Sequence, residues 1–164
     1  MTRLTLDELA QLDELQTAYI SALDGKKMRS WLDTFDEDPA ASYICISRND
    51  VENGLRIAMM LDDCRDRLID RCTFVDDIWA GTFQDYRTRH FVQRVHASRR
   101  DDGQIEMTSN FSVIFTPDDT GLPQQLAAGT YEDVIRMEDG ACRFLSRKAV
   151  TDNAVMPRYL VFPL

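Results

Sequence analysis

Two hydrophobic periods divide the chain, and the change falls near residue 86. In "TLDELAQLDELQTAYISALDG", Leu9, Leu12, Leu15, Tyr19 and Leu23 recur every three or four residues, which predicts an amphipathic helix. Thr5 followed three residues later by Glu8 is a capping-box signal, and Gly25 is a natural stop. A second, shorter helix is expected in "KKMRSWLDTFDED", with Met28, Trp31, Leu32 and Phe35 as its apolar stripe and Pro39 at its exit. "ASYICIS" is short and β-prone. "GLRIAMML" fits helix or strand and is assigned to a strand. A helix then runs from about Asp62 to Thr73 with Leu61, Cys64, Leu68 and Cys72 inward.

After that the period becomes two. "YRTRHFVQRVHASRRDDGQIEMTSNFSVIF" predicts two long strands joined around Asp101, Asp102 and Gly103. Met107, Phe111, Val113 and Phe115 alternate with polar residues, so one face of the second strand is buried. "LAAGTYEDVIRMEDGACRFLSRKAV" predicts another hairpin, turning at Glu138, Asp139 and Gly140. The tail "VTDNAVMPRYLVFPL" ends apolar, with Pro157 and Pro163 limiting ladder pairing. Helices first and antiparallel strands after them is the α+β pattern. Long sheets twist and curl, so helices lying in the concavity would share one core with the sheet. No repeat, linker or low-complexity stretch interrupts residues 1–164, and a single domain is expected.

Composition narrows the partners. The formal net charge is -9, and an acidic chain repels phosphate, which disfavours nucleic acid and anionic membrane surfaces. No apolar run approaches the ~20 residues of a membrane span. "MTRLTLDELA" lacks the apolar stretch of a signal peptide, so a cytoplasmic protein is expected. Cys45, Cys64, Cys72 and Cys142 have no C-x-x-C spacing and read as small apolar residues in a reducing compartment.

"YRTRHFVQRVHA" holds both histidines, and so most of the candidate chemistry. His90 and His96 are six apart on an expected strand, which puts them on one face roughly 20 Å apart at ~3.3 Å per residue. Ligands of one metal must each lie about 2 Å from it, so the pair cannot share an ion. His90 beside Arg89 is a conceivable general base, with a carboxylate such as Asp133 to orient it; a hydrogen-bonded structural histidine is the plainer alternative. "DTFDEDP" lacks the spacing and glycine of a calcium loop and reads as a solvated acidic turn. No phosphate-binding loop or nucleophile elbow is present. Arg87, Arg89, Arg94, Arg99 and Arg100 form a local basic patch, and arginines at alternate strand positions suit a partner's carboxylates.

In order, "YRTRHFV", "SNFSVIF" and "GTYEDVIRMEDGACRFLSRKAVTDNAVMPRYLVFPL" resemble the small (beta) subunits of aromatic-ring-hydroxylating dioxygenases. "LDGKKMRSWLDTFDED" and "LDDCRDRLIDRCTFV" are similar to earlier helices of that family. The chain departs from it at Gln93-Arg94 and at Ala141–Phe144, where the family carries serine-asparagine and often a tryptophan.

The resemblance implies a cone, a strongly curved antiparallel sheet wrapped around N-terminal helices, as in steroid isomerases and scytalone dehydratases. It implies a subunit with no catalytic residue, no cofactor and no metal of its own. Such a subunit trimerises and supports large (alpha) subunits, three of each. The large subunits carry the Rieske 2Fe-2S cluster and the mononuclear non-haem iron, and reductase or ferredoxin engages only indirectly. The tail looks most like small subunits serving aromatic carboxylates such as anthranilate, salicylate or terephthalate. Arg87, Arg89, His90, Arg94, Tyr159 and Phe162 are the expected interface residues. The alternative function is a stand-alone isomerase or dehydratase on the same cone, with Tyr19, Trp31 and His90 lining a pocket and His90 or an aspartate as general base.

Overall fold

The computed structural model describes residues 3–138 and 140–164, so the Asp139 part of the second expected turn lies outside the described residues. The chain folds as α1 (Leu6–Asp24), α2 (Met28–Leu32), β1 (Ser42–Ser47), α3 (Arg48–Glu52), β2 (Ala58–Asp62) and α4 (Arg65–Thr73). A π-helical turn (Phe74–Ile78) continues α4, and β3 (Tyr86–Arg99), β4 (Ile105–Pro117), β5 (Gln124–Glu138) and β6 (Ala141–Thr151) follow. The sheet order is β2-β1-β6-β5-β4-β3.

α1 begins as its sequence dictates. The Thr5 side chain accepts from the Glu8 N–H at 3.2 Å, and the Glu8 carboxylate accepts from the Thr5 N–H at 2.7 Å. Leu12, Leu15, Tyr19 and Leu23 are buried, and Leu9 packs against them half-buried. At the other end the left-handed residue is Lys26 (φ 54°), not Gly25. A Cβ at Gly25 would instead meet the Ser21 carbonyl oxygen at 2.9 Å. Met28, Trp31, Leu32 and Phe35 are all buried as expected.

The strands alternate in burial, and Met107, Phe111, Val113 and Phe115 turn inward into the common core. Curvature comes from breaks in register at Cys45/Ile46, Arg94/His96, Val113/Ile114 and Val134/Ile135, since an extra residue bends its strand and increases twist. Gly129 on β5 sits where the backbones crowd; a Cβ there would fall 2.0 Å from the Val150 carbonyl oxygen. The result is an α+β cone, a curved sheet around N-terminal helices.

Three sequence expectations change. The sheet is antiparallel except where β1 runs parallel to β6, from Ser42↔Ser146 to Ser47↔Thr151. Leu61 is 45% exposed, because on β2 the inward position belongs to Asp62, which Arg71 grips with two 3.0 Å hydrogen bonds. The "DTFDEDP" turn is not merely solvated: Asp36 is buried and accepts from Arg136 at 2.6 Å, and Asp38 accepts from the same guanidinium at 3.1 Å. Cys45 and Cys72 are buried, Cys64 and Cys142 half-buried, and all four are free thiols. Among the described residues no helix is long and apolar enough to cross a membrane.

Candidate functional site

β3 is an edge strand, so one side of its backbone has no neighbour in the sheet. Arg87, Arg89 and Phe91 alternate on its outward face, and Phe91 and Val95 are each 59% exposed. The basic patch does not stay together. Arg94 faces inward, where its guanidinium makes a two-pronged pair with Asp13 of α1 at 2.9 and 3.0 Å. Arg99 likewise reaches Glu8 at 2.5 Å. The register break between Arg94 and His96 separates the histidines as well. His90 is buried and His96 exposed, so they do not share a face. Among the described residues no three of His, Cys, Asp and Glu stand together as metal ligands.

His90 does not meet Asp133. Its partner is Asp24, the last residue of α1, with Nδ1 2.6 Å from the carboxylate. Asp24 also accepts from the His90 N–H at 3.1 Å and the Thr88 hydroxyl at 2.8 Å. Burial acts to raise the Asp24 carboxyl, but the bonds from His90 and Thr88 outweigh it and hold it below its ordinary value. This cluster fastens the end of α1 to β3.

Asp133 belongs to a second polar centre, deep in the cone. The fully buried Arg147 of β6 donates to both its oxygens at 2.8 Å and to Gln16 of α1 at 2.5 Å. Gln16 in turn donates to Ser109 at 2.8 Å. The guanidinium carbon lies 3.9 Å from the Phe144 ring centre, 4.1 Å from Tyr19 and 4.2 Å from Tyr131. Burial pushes the Asp133 carboxyl up despite Arg147. Burial alone would lower Arg147, and Asp133 raises it instead. Arginine stays protonated at any working pH, so the guanidinium brings a buried charge that the Asp133 carboxyl faces. Sequence reading missed Arg147, Asp133 and Gln16 as a unit. The available signal was phase, since Arg147 falls at an inward position of β6.

Tyr19, Trp31, Phe35, Tyr43, Tyr131 and Phe144 fill the surrounding space, all fully buried. Burial pushes the Tyr19 phenol up to about 12, with the charge on Arg147 pulling the other way. The tail closes the cone. Val161, Phe162 and Leu164 are buried, and Phe162 packs edge-on to Phe83 and Tyr86 at about 6 Å between ring centres. A main-chain carboxylate oxygen of Leu164 accepts from the Tyr19 hydroxyl at 2.6 Å, and the Leu164 N–H donates to the Tyr43 hydroxyl at 2.9 Å. Phe162 is therefore an internal residue, whereas Tyr159 is 47% exposed. Trp31 Nε1, Tyr131 Oη and Arg147 Nη1 are buried without a hydrogen-bond partner, each a cost of about 1–3 kcal/mol.

A curved sheet closed over helices, with a long free edge strand and an occupied interior, defines the chain as a member of the cone-fold class. More narrowly, the ring-hydroxylating beta-subunit family model matches residues 19–158, and the chain belongs to that family. It is 24% identical to the small subunit of anthranilate 1,2-dioxygenase from Burkholderia cepacia, over 92% of this chain and 90% of that one. A candidate aromatic-ring-hydroxylating dioxygenase beta subunit from Novosphingobium aromaticivorans superposes with TM-score 0.77 at 26% identity, covering 91% and 93% of the two chains. The beta subunit of benzoate 1,2-dioxygenase from Burkholderia mallei superposes with TM-score 0.71 at 20% identity, covering 92% and 93%.

Proposed function

We propose that this chain is the structural, non-catalytic small subunit of a cytoplasmic dioxygenase that converts an aromatic carboxylate to a dihydroxylated product. The observation that carries this reading is the occupied cone. A small-molecule enzyme needs an accessible apolar pocket with convergent polar groups. Here an ion pair, six aromatic rings and the tail take that space. His90, the base of the isomerase alternative, has Nδ1 committed to Asp24 and Nε2 buried.

The partners in this reading are a large subunit and further copies of this chain, three of each. The large subunit holds the Rieske cluster and the mononuclear iron, and reductase or ferredoxin meets the complex through it. The carboxylate substrate follows the anthranilate and benzoate systems of the relatives. The outward row of β3 is the contact surface: Arg87, Arg89 and Phe91, with Tyr159 beside the strand's start, where its ring lies 6.4 Å from that of Tyr86. Arg94, His90 and Phe162 act from behind it, holding the strand to α1 and the tail.

Co-expression with the large subunit tests the proposal. Arg89→Ala and Phe91→Ala should each leave the small subunit folded and weaken the complex at least tenfold, the scale of an interface hot spot. Iron and acid-labile sulfide should follow the large chain. Wild-type assembly by both variants, or turnover of an aromatic substrate by the small subunit alone, would overturn it.

A further inference from the structure

α4 and the π-helical turn that continues it carry an apolar outward face that the chain leaves uncovered. Ile69 is 38%, Phe74 43% and Ile78 53% exposed. Turns of this kind recur at functional sites, and two of those three side chains lie on it. A hollow of about 280 Å³ opens beside Asp70, Phe74 and Trp79, the two rings being 5.7 Å apart. Along the same face Asp66, Asp70 and Phe74 recur four residues apart, in steps of about 6 Å. Neither aspartate is ion-paired among the described residues, although Asp62 and Asp63 near them are held by Arg71 and Arg67. α4 stands at the β2 end of the sheet, where Arg71 ties it to Asp62. At the opposite end β3 presents Arg87, Arg89 and Phe91 in steps of roughly 6.6 Å. Neither arginine has a carboxylate partner among the described residues, whereas Arg94 and Arg99 do.

Taking the assembly role as given, we propose that the outward row of β3 in one copy docks on the α4 face of the next, Arg87 to Asp66, Arg89 to Asp70 and Phe91 to Phe74. The two rows have the same order and nearly the same step, with cation against anion and ring against ring. A guanidinium fork suits each carboxylate. Phe91 enters the hollow by Phe74 and Trp79, where offset or edge-on ring contact is favourable. The occupant is a second copy of this chain because both halves of the match stand on it, at the two ends of one open sheet, where they do not meet within a molecule. A two-fold contact would set each charged row against its own copy, and like charges repel. The contact is therefore head-to-tail, and repeated around an axis it closes a ring in which each copy gives its β3 row and receives another on α4.

Charge exchange tests this in the complex co-expressed with the large subunit, read by co-purification and light scattering. Arg87→Glu with Arg89→Glu, and separately Asp66→Arg with Asp70→Arg, should each cut recovery of the full complex at least about tenfold, the lower end for close interfacial charges. All four substitutions in one chain reverse both faces and should return recovery to within about twofold of wild type. The four side chains are exposed and not ion-paired within the copy, so circular dichroism should show each variant folded. Where a reversal proves unstable, Arg89→Gln and Asp70→Asn replace it, and together they should weaken assembly no more than either alone. Rescue by the fourfold variant is specific to contact between copies, because the large subunit keeps its own charges. Loss of assembly with the β3 reversals and no rescue would overturn the proposal and give the β3 row to the large subunit. Normal assembly of the α4 variant would overturn it alone, and normal assembly of the β3 variant would overturn the contact surface of the proposed function as well.

Discussion

Replacing Arg147 by methionine tests the electrostatic core directly. Methionine keeps much of the length and can still lie against the three rings, since thioether–aromatic contacts are favourable. What it removes is the charge that faces Asp133, leaving that carboxyl without its partner at 0% side-chain exposure. Breaking a buried pair in this way costs about 3–5 kcal/mol. For a chain of this size that lowers Tm by roughly 6–20 °C, at about 2–4 °C per kcal/mol. Asp133→Leu should cost a similar ~3–5 kcal/mol, because it strands the guanidinium instead. The double variant should recover most of the loss, as apolar replacement of a whole buried pair is often near neutral. It will not recover all of it, because the Gln16 carbonyl oxygen loses its 2.5 Å donor, worth about 1–3 kcal/mol. Urea unfolding followed by circular dichroism closes the cycle. The singles should be non-additive by at least ~3 kcal/mol. Strictly additive losses would refute the coupling, and a single-variant loss below about 1 kcal/mol would refute the burial argument.

Gly129→Ala should destabilise by about 1–3 kcal/mol in the same assay, because its methyl would meet the Val150 carbonyl and the backbones must separate. Thr5→Ala should cost ~1 kcal/mol and lower the helical signal, through loss of the α1 cap. Asp24 titrates below its ordinary 3.8, so its stabilising contribution is complete above that value and is lost as pH falls through the lowered one. Asp24→Asn should therefore reduce stability at neutral pH and flatten the acid limb of the stability curve; an unchanged acid limb would count against the His90–Asp24 clamp.

What could be read from sequence was whatever repeats locally. The Thr5–Glu8 box, the Met28–Phe35 stripe and the inward row of β4 each announce themselves within a few residues, and the structure keeps them all. α3 went unassigned although Ser47 and Asp50 carry a cap signal, with Ser47 accepting from the Asp50 N–H at 3.1 Å. Five residues are too few to display a period. The site was less legible because it is built from pairings distant along the chain. Asp24 with His90, Gln16 with Arg147, and Tyr43 with Leu164 meet only through the sheet's curvature. One bulged residue on β3 reversed the faces of His96 and Arg99, whereas plain alternation already puts Arg94 on the face opposite Arg87 and Arg89. Periodicity assumes an unbroken strand and cannot see such an insertion.

The parallel pairing of β1 with β6 also bears on how the cone comes into being. β1's partner residues lie about 100 positions further along the chain, so this ladder closes one of the longest loops in the fold. Until β6 emerges during synthesis, β1 and β2 form only a two-stranded ribbon, which is marginal in water by itself. Met60 and Cys45 would then lose the cover that buries them in the finished molecule. The ribbon also turns Met59 and Leu61 outward. The first strands made are thus the last to be secured, and a nascent chain stalled before residue 141 carries an adhesive edge. Late closure of this kind makes prompt completion of the C-terminal hairpin, more than the stability of any helix, the step that protects the subunit from aggregation.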